Sequence, residues 1–443
     1  MFKTIVNALK IRDVRLRILY TVFALFIVRL GCQIPVPGVN RIAIMQWFDE
    51  LATASGGALG FVDALTGGSL TQMSIFALGI TPYIMASIII QMLTLSIPAL
   101  EEMSREEDGH RKLSEITRYA SVVLALLEGI GMSIGFGNQG LLEKRDAFSI
   151  AVVTVSLTAG AAFVMWLGEQ ITQKGIGNGS SIILVFNIAS RIPSDIKGLF
   201  DQFVFTASNV GKAIVAAIII IGVILLTIVL TIMLNDAIRK IPVHYNGRSN
   251  QSRIAATGNT SNIPLKINTS GVMPVIFASS IMEFPVVIAT MIGKGQPTSG
   301  IWMHVYKTLQ SSYWFDKEDP KYTIGVVIYV VLTVFFAYFY TAITFNPMII
   351  SDNLKKRGGF IPGVRPGKPT TEYLNNILKY IIFIGAIGLF IVVSIPIVFN
   401  GLFGARVTFG GTSLIIIVSV VLEAIHQVET MMVERNYKGF LNS

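Results

Sequence analysis

The stretch ALTGGSLTQMSIFALGITPYIMASIIIQMLTLSIPAL, residues 64–100, contains no charged side chain and decides the fold class. As a single helix it would measure about 55 Å at 1.5 Å per residue, too long for one bilayer crossing and too short for two. The pair Gly67-Gly68 is a natural break. We therefore predict a membrane span from Ser74 to Ile97 and a separate short apolar segment over residues 60–70. That segment must be buried in protein or line a cavity, because irregular backbone is not tolerated in lipid.

The composition of the whole chain also indicates a membrane protein. Of its 443 residues, 52% are hydrophobic and 14% are charged, and the mean hydropathy is +0.65, whereas soluble domains carry about 25% charged residues. So few charges cannot cover three soluble domains, which argues against a soluble enzyme. The single cysteine, Cys32, rules out an intramolecular disulfide and a zinc site built from several cysteines.

Ten stretches are long and apolar enough to cross a bilayer, for which a helix needs about 20 residues. Because ten is even, both termini lie on one side of the membrane. With the termini inside, most of the 35 Lys and Arg residues fall in inside segments, so we predict that both termini are cytoplasmic. The predicted spans are residues 19–36, 74–97, 119–137, 148–168, 180–196, 213–234, 271–291, 323–345, 377–398 and 409–425.

A short phrase occurs in both the second and the seventh span. Residues 82–87 (PYIMAS) and 274–279 (PVIFAS) share the pattern Pro-x-Ile-x-Ala-Ser. Five spans separate them, so the two copies would run in opposite directions, as in the inverted repeats of membrane transport proteins. A chance match between apolar segments is the alternative. The repeat divides the chain into five spans over 1–200, five over 201–426 and a cytoplasmic tail over 427–443.

Ionisable groups within predicted spans are costly and often functional, and three of those in this chain, Arg29, Glu128 and Glu283, need separate consideration. Arg29 and Glu128 could reach an interface or pair with a polar neighbour. Glu283 could be the coupling carboxylate of a proton-driven transporter, or a hydrogen-bonded structural group. The sequence leaves these alternatives open.

No catalytic motif stands out in the sequence. It contains no Walker A phosphate-binding loop, no His-Glu-x-x-His zinc motif and no Gly-x-Ser-x-Gly nucleophile elbow. We therefore expect no enzymatic activity, no cofactor and no metal site. Two long inside connections, residues 235–270 and 346–376, are either docking surfaces for partners or solvated loops that only set the topology.

Ten sequence phrases follow one another along the chain: IPVPG (34–38), GGSL (67–70), SIFALGITP (74–82), WLGEQI (166–171), GIGNG (175–179), PLKIN (264–268), GVMP (271–274), NLKK (353–356), PGVRPG (362–367) and FGGTS (409–413). In this order, and over essentially the whole chain, they resemble the SecY family of bacterial protein-conducting channels. None would suffice alone, but together they are highly specific.

The resemblance implies an all-α, polytopic membrane protein whose ten transmembrane helices form two inverted five-helix halves, arranged as a clamshell around a central hourglass pore. It also implies a channel that passes unfolded secretory polypeptides and releases transmembrane segments sideways into lipid. A ring of aliphatic side chains deforms around a varied chain and excludes water when empty, which blocks ions. This pore ring would comprise Ile80, Ile84, Leu184, Ile276 and Ile416.

Two further parts of the channel are implied by the same resemblance. Residues 60–70 match the plug, a half-helix that closes the resting pore and whose few apolar contacts would make opening easy. The lateral gate would lie between spans two and three on one side and spans seven and eight on the other. The plug includes Phe61, Val62, Asp63, Ala64, Leu65, Thr66, Gly67, Gly68, Ser69 and Leu70, and the gate includes Ser87, Gln91, Ser279, Ser280 and Glu283.

The implied partners are a motor, either the SecA ATPase or the ribosome, the small subunits SecE and SecG, and signal peptides and nascent chains. The protein would lie in the bacterial cell membrane and would not recognise nucleic acid directly. The motor would dock on Arg248, Lys355, Lys356, Arg357, Arg365 and Lys368.

The alternative function is an ion-coupled secondary transporter with a solute site at the interface of the inverted repeat. A transporter needs polar or ionisable groups that converge near the middle of the membrane, whereas a polypeptide channel needs a deformable apolar ring. The sequence favours the ring.

Overall fold

The computed structural model describes residues 9–55, 63, 65–106, 108–206, 209–245, 260–292, 300–310, 313–314, 319–403 and 411–441. These residues are mostly helical and include one small sheet. The helices are α1 (Arg12–Gly31), α2 (Arg41–Ser55), α3 (Thr81–Ser96), α4 (Pro98–Arg105), α5 (Gly109–Asn138), α6 (Ala147–Lys174), α7 (Gly179–Phe200), α8 (Val210–Asp236), α9 (Met273–Ile292), α10 (Ile301–Leu309), α11 (Ile324–Thr344), α12 (Pro347–Lys356), α13 (Lys368–Phe403) and α14 (Gly411–Leu441). The strands are β1 (Ile238–Tyr245), β2 (Thr260–Lys266) and β3 (Gly359–Phe360).

Each of the ten predicted spans coincides with a helix, which confirms the predicted all-α, multi-pass architecture. Among the described residues, six helices are long and apolar enough to cross a membrane, or seven if α3 and α4, which meet at a bend of 105°, count as one span. The remaining three predicted spans are the first, fifth and seventh: α1 carries several arginines, including Arg29, α7 carries Arg191, and α9 is a shorter apolar helix over Met273–Met282.

The second span begins later than we predicted. We expected a helix from Ser74, but α3 begins at Thr81 and residues 66–80 run in a series of turns. The backbone is left-handed at Met73 (φ 45°) and Gly79 (φ 57°). Left-handed residues interrupt a right-handed helix, so the helical hydropathy pattern before Thr81 does not produce a helix.

The non-helical segment before α3 satisfies its backbone groups against the chain that follows α1. Val36 donates its N–H to the carbonyl of Met73 (3.0 Å), and Ile75 donates its N–H to the carbonyl of Ile34 (2.9 Å). Buried backbone groups must be paired, and these bonds allow an irregular segment to lie inside a membrane protein. The segment is therefore buried in protein rather than exposed to lipid.

Two apolar clusters hold the helices together. The larger cluster includes Ile188 of α7 and Phe277 of α9, so it joins the N-terminal and C-terminal halves. The smaller cluster includes Phe136 of α5 and Leu157 of α6 and belongs to the N-terminal half. All four side chains are at most 1% exposed.

The sheet joins the two long connections, residues 235–270 and 346–376, into one unit. Its strand order is β2-β1-β3; β1 is antiparallel to β2 along its length, and its last residues, His244 and Tyr245, pair with β3. Val243 of β1 is fully buried and shares an apolar cluster with Leu354 of α12 and Leu374 of α13. The connections before α9 and before α13 thus fold as one platform rather than as two separate loops.

Candidate functional site

The five predicted pore-ring side chains come together in one apolar cluster. Ile80 precedes α3, Leu184 lies on α7, Ile276 on α9 and Ile416 on α14, and these four are between 1% and 5% exposed. Ile84 lies one turn after Ile80, on α3, and its half-buried side chain packs against the same cluster. Four elements from both halves of the chain therefore contribute branched aliphatic side chains to the same apolar cluster.

The described part of the plug is a tight turn rather than a continuous half-helix. Asp63 and Leu65 are helical, and the chain then turns through residues 66–73. Gly67 and Gly68 have φ values of 71° and 84°, in the left-handed region that favours glycine. The glycine pair thus breaks the apolar stretch where the sequence predicts it. Phe61, Val62 and Ala64 lie outside the described residues.

Helix α7 lies directly against this turn. A Cβ atom on Gly67 would lie 3.0 Å from Oδ1 of Asn187, closer than most real Cβ contacts. The amide of Asn187, whose residue is 3% exposed, donates a hydrogen bond to the carbonyl of Leu65 (3.1 Å). Gly67 therefore has no room for a side chain, and the close approach lets α7 bind the backbone of the plug.

Arg29 of α1 is a second donor to the plug. Its Nη1 atom donates to the carbonyl of Gly67 (2.9 Å) and to Oγ of Ser190 (3.4 Å). The sequence left open whether Arg29 reaches an interface or pairs with a polar neighbour, and the structure shows the pairing. We expected the plug to be held by few apolar contacts, but polar side chains hold its backbone as well.

The sequence reasoning did not identify the α7 residues at the plug. Asn187, Ser190 and Arg191 are spaced three and four residues apart on one side of the fifth span. Three polar residues at this spacing within a predicted apolar span were the available signal of a buried polar contact. Their partner could not be found from the sequence, because the plug lies more than 100 residues away.

The predicted gate residues lie on two helices whose hydrogen bonds run along each helix. On α3, Gln91 donates to Oγ of Ser87 (2.9 Å), and on α9 the hydroxyl of Ser279 donates to the carbonyl of Val275 (2.8 Å). Ser280 is half-buried next to Ser279. Helix α3 packs on α5, α9 packs on α11, and α9 also contacts α3 and α5 across the seam between the two pairs.

Glu283 lies on α9, one turn beyond this seam, and its side chain lies outside the described residues. Glu128, on α5, is half-buried, and its Oε1 atom has no hydrogen-bond partner among the described residues.

The predicted docking residues form an exposed basic surface on the platform. The end of α12, the loop after β3 and the start of α13 contribute to it. The loop is held in place because Ser351 donates to the carbonyl of Gly367 (2.9 Å) and Thr370 donates to the carbonyl of Arg365 (2.8 Å). Arg248 lies outside the described residues. The exposed basic side chains are Lys355, Lys356, Arg357, Arg365 and Lys368.

Within the described residues, no group of three or more His, Cys, Asp or Glu side chains lies close enough together to hold a metal ion.

The comparison with protein families identifies the family of this chain. The family model for SecY matches residues 74–425. The chain belongs to the SecY family. Among SecY proteins, the "Protein translocase subunit SecY" of Bacillus subtilis (strain 168) is 41% identical and that of Streptomyces scabiei is 38% identical, each over 100% of both chains.

Solved structures show the same fold as this SecY-family chain at low sequence identity. A chain from "The structure of a protein conducting channel" has a TM-score of 0.65 and 17% identity, covering 94% of this chain and 92% of that one. Sec61 in the canine ribosome-channel complex from the endoplasmic reticulum has a TM-score of 0.61 and 16% identity, covering 94% and 92%. At this identity the likeness establishes the SecY fold, the ten-span clamshell.

Proposed function

We propose that this chain is the channel subunit of a protein translocase, which passes unfolded secretory polypeptides across the bacterial cell membrane and releases transmembrane segments sideways into lipid. The observation that carries the proposal is the convergence of Ile80, Ile84, Leu184, Ile276 and Ile416 in one apolar cluster between the two halves. The high identity to SecY proteins named as translocase subunits supports it.

The chemistry of the ring suits a polypeptide substrate. Its side chains carry no hydrogen-bonding or charged group, so the ring makes no sequence-specific contact with a passing chain. An apolar constriction of this kind stays dry when empty and is a barrier to ions. A solute transporter would need polar groups converging at the same place, and the five ring positions supply none.

The plug and the gate complete the channel. The plug, residues 60–70, covers the resting ring, and the contacts of its described part with α1 and α7 support this role. The gate is the seam where α9 meets α3 and α5, with Ser87, Gln91, Ser279 and Ser280 on the two helices and Glu283 one turn further along α9. The hydrogen bonds of Gln91 and Ser279 run along their own helices, so these bonds need not break when the seam parts to let a hydrophobic segment reach lipid.

The platform is the docking surface for the motor, either a SecA ATPase or a translating ribosome. Its support is the sheet that joins the two connections and the five exposed basic side chains beside it. The SecE and SecG subunits would complete the complex, and both termini would be cytoplasmic, on the same side as the platform. One of the solved structures with this fold is a ribosome–channel complex.

Crosslinking from the ring tests the proposed function. We would replace Cys32 by alanine, introduce Ile84→Cys or Ile276→Cys, stall a secretory chain in membrane vesicles with its motor, and look for adducts. Adducts from both positions are expected. Ile218→Cys on α8 is the matched control, because Ile218 is 65% exposed and is not part of the apolar cluster that contains the ring, and it should give none. No adduct from either ring position, with the variants correctly inserted, would contradict the proposal and favour the transporter.

A further inference from the structure

We propose that Asp63 and Arg191 form a buried ion-pair latch that positions the plug against the N-terminal half of the channel, and that this latch determines how readily the resting channel opens. The inference rests on the proposed function, because it assigns a role to residues 60–70 within a channel. It adds two positioning residues, one of them outside the predicted site.

The carboxylate of Asp63 is buried, and both of its oxygens accept hydrogen bonds. Its side chain is 1% exposed, and its Oδ1 atom accepts two hydrogen bonds from Thr71, one from the backbone N–H and one from the hydroxyl, both 2.9 Å long. Its Oδ2 atom accepts from Nη1 of Arg191. The two bonds from Thr71 close the plug turn on itself, and the third attaches the turn to α7.

The side chain of Arg191 lies alongside the plug backbone at Gly68. Its side chain is 26% exposed, and a Cβ atom on Gly68 would lie 3.5 Å from its Nη1 atom and 3.8 Å from its Cδ atom. The absence of a side chain at Gly68 thus gives the guanidinium room beside Asp63. One turn of α7 earlier, Asn187 binds the carbonyl of Leu65.

Apart from the two bonds that Thr71 donates within the turn, the polar contacts of the plug described above come from α1 and α7, which belong to the same half of the channel. Arg29 and Arg191 bring two positive charges to the plug, and Asp63 is the carboxylate paired with one of them. We infer that the plug is attached to the N-terminal half. Parting the lateral gate therefore does not by itself release the plug, and release requires that the Asp63–Arg191 pair separate.

The energetics of a buried ion pair suit a latch. Removal of one partner leaves an uncompensated charge away from water and is strongly unfavourable. When a polypeptide and water enter the pore, both charges can be hydrated, and the attraction between them falls as the local dielectric constant rises. The pair thus stabilises the plug in the dry, closed channel and holds it only weakly once the pore is wet.

The first test measures ion leak through empty channels in membrane vesicles that contain the full chain with its co-assembled subunits. Asp63→Asn keeps the shape of the side chain but removes its charge, and Arg191→Gln removes the opposite charge. Each single change should raise the resting leak by roughly tenfold or more, since Arg191→Gln leaves the buried carboxylate of Asp63 without its counter-charge and Asp63→Asn leaves the partly buried guanidinium of Arg191 without its partner. The double variant, with neither charge, should leak less than the sum of the two effects predicts.

The matched control breaks an ion pair that involves no plug residue. Arg118 of α5 donates to Glu169 of α6 at 2.5 Å, and Arg118→Gln should leave the resting leak unchanged. A leak in the Asp63→Asn and Arg191→Gln variants equal to that of the unmodified channel and of this control would overturn the latch.

A second measurement reports the plug position directly. Ser69 of the plug is 0% exposed, so in a Cys32→Ala background the thiol of Ser69→Cys should react slowly with a water-soluble maleimide in resting channels. Adding Asp63→Asn should raise the rate of labelling, and an unchanged rate would contradict the latch. Because ring crosslinking does not depend on Asp63, adducts at Ile84 together with an unchanged leak and labelling rate would refute the latch alone and leave the proposed function standing.

Discussion

Gly160 of α6 lies directly against the backbone of the non-helical segment that leads to Ile80. A Cβ atom at this position would be 1.8 Å from the carbonyl oxygen of Ile75, a distance that no pair of unbonded atoms can hold. The obstacle is backbone, fixed by its own hydrogen bond to the chain after α1, so a flexible side chain cannot simply move aside. The position of one ring residue therefore depends on a missing side chain in another helix.

We predict that Gly160→Ala lowers the free energy of unfolding by about 1–3 kcal/mol, the usual cost of overpacking a well-packed interior. The midpoint of thermal unfolding of the purified chain in detergent is the measurement. Gly131→Ala in α5 is the control, because nothing lies within 4 Å of its Cβ position and alanine favours helix over glycine. A Gly160→Ala variant that melts at or above the unmodified chain would show that α6 and the segment do not approach as described.

At the scale of single elements, strand β1 has both buried and exposed apolar positions. Ile241 and Val243 are buried at 2% and 0% exposure, whereas Ile238 at the start of the strand is 43% exposed. The buried residues pack with α12 and α13, so β1 is the element that fastens the sheet to the helices that carry the basic surface. The integrity of the platform thus depends on one strand.

We predict that Val243→Asp disrupts the platform, because it buries a charge with no partner, at a cost of several kcal/mol. The variant should remain inserted, but the connections should become sensitive to protease added from the cytoplasmic side, and motor-dependent export should fall at least tenfold. Ile238→Asp, on the same strand but exposed, should retain both protection and export. Equal protease resistance of the two variants would contradict the role assigned to β1.

A second contact between elements lies at the C-terminal end of α8. Asn268, in the segment before α9, donates to the side-chain oxygen of Asn235 (2.9 Å), and Asn235 in turn donates to Oγ of Ser419 (2.8 Å). Ser419 lies one turn along α14 from the ring residue Ile416. The base of the platform is therefore connected to a pore helix by two hydrogen bonds.

We predict that Asn235→Ala weakens the response of the channel to its motor, because it removes both hydrogen bonds and leaves Asn268 and Ser419 without these partners. The measurement is the motor-dependent export rate at a fixed amount of inserted channel. Ser96→Ala, whose exposed hydroxyl bonds only to its own helix at Met92 (3.0 Å), is the control and should export normally. Unchanged export by Asn235→Ala would exclude this connection.

At the scale of the whole molecule, the two halves meet at the turn between α6 and α7. The backbone N–H of Gly177 donates to Oε1 of Gln427, which lies on α14 of the C-terminal half. Two residues of α1 hold the same turn: Arg17 donates to the carbonyl of Gly175 (3.3 Å), and the hydroxyl of Thr21 accepts from the N–H of Ile176 (3.1 Å). The turn is thus hydrogen-bonded to a helix of each half, α1 and α14.

We predict that Gln427→Ala lowers the free energy of unfolding by about 1–3 kcal/mol, the cost of leaving a partly buried backbone donor unpaired. A lower midpoint of thermal unfolding of the purified complex would be the sign of this loss. Gln33→Ala, at an exposed position, should melt like the unmodified chain. If the two variants have the same midpoint, the turn does not join the halves.

The sequence by itself determined the number and order of the membrane spans and the break at Gly67-Gly68, and through the resemblance it predicted the five ring positions. These features depend on local composition and short phrases, because hydropathy and backbone freedom are properties of a residue and its near neighbours. The sequence did not determine which side of each helix is buried. In the isoleucine-rich α8, Ile220 is 3% exposed and Ile218 is 65% exposed, and nothing in so uniform a stretch distinguishes them.

Only the tertiary structure decided where α3 begins, that two connections form one sheet, and which groups satisfy the charges inside the spans. The start of α3 depends on hydrogen bonds to the chain after α1, and the sheet pairs strands from both connections. Asp63 and Arg191 are 128 residues apart in sequence. Pairing over such distances depends on how the helices pack, and a charge that looks unfavourable in its own span is stable because a distant segment supplies its partner.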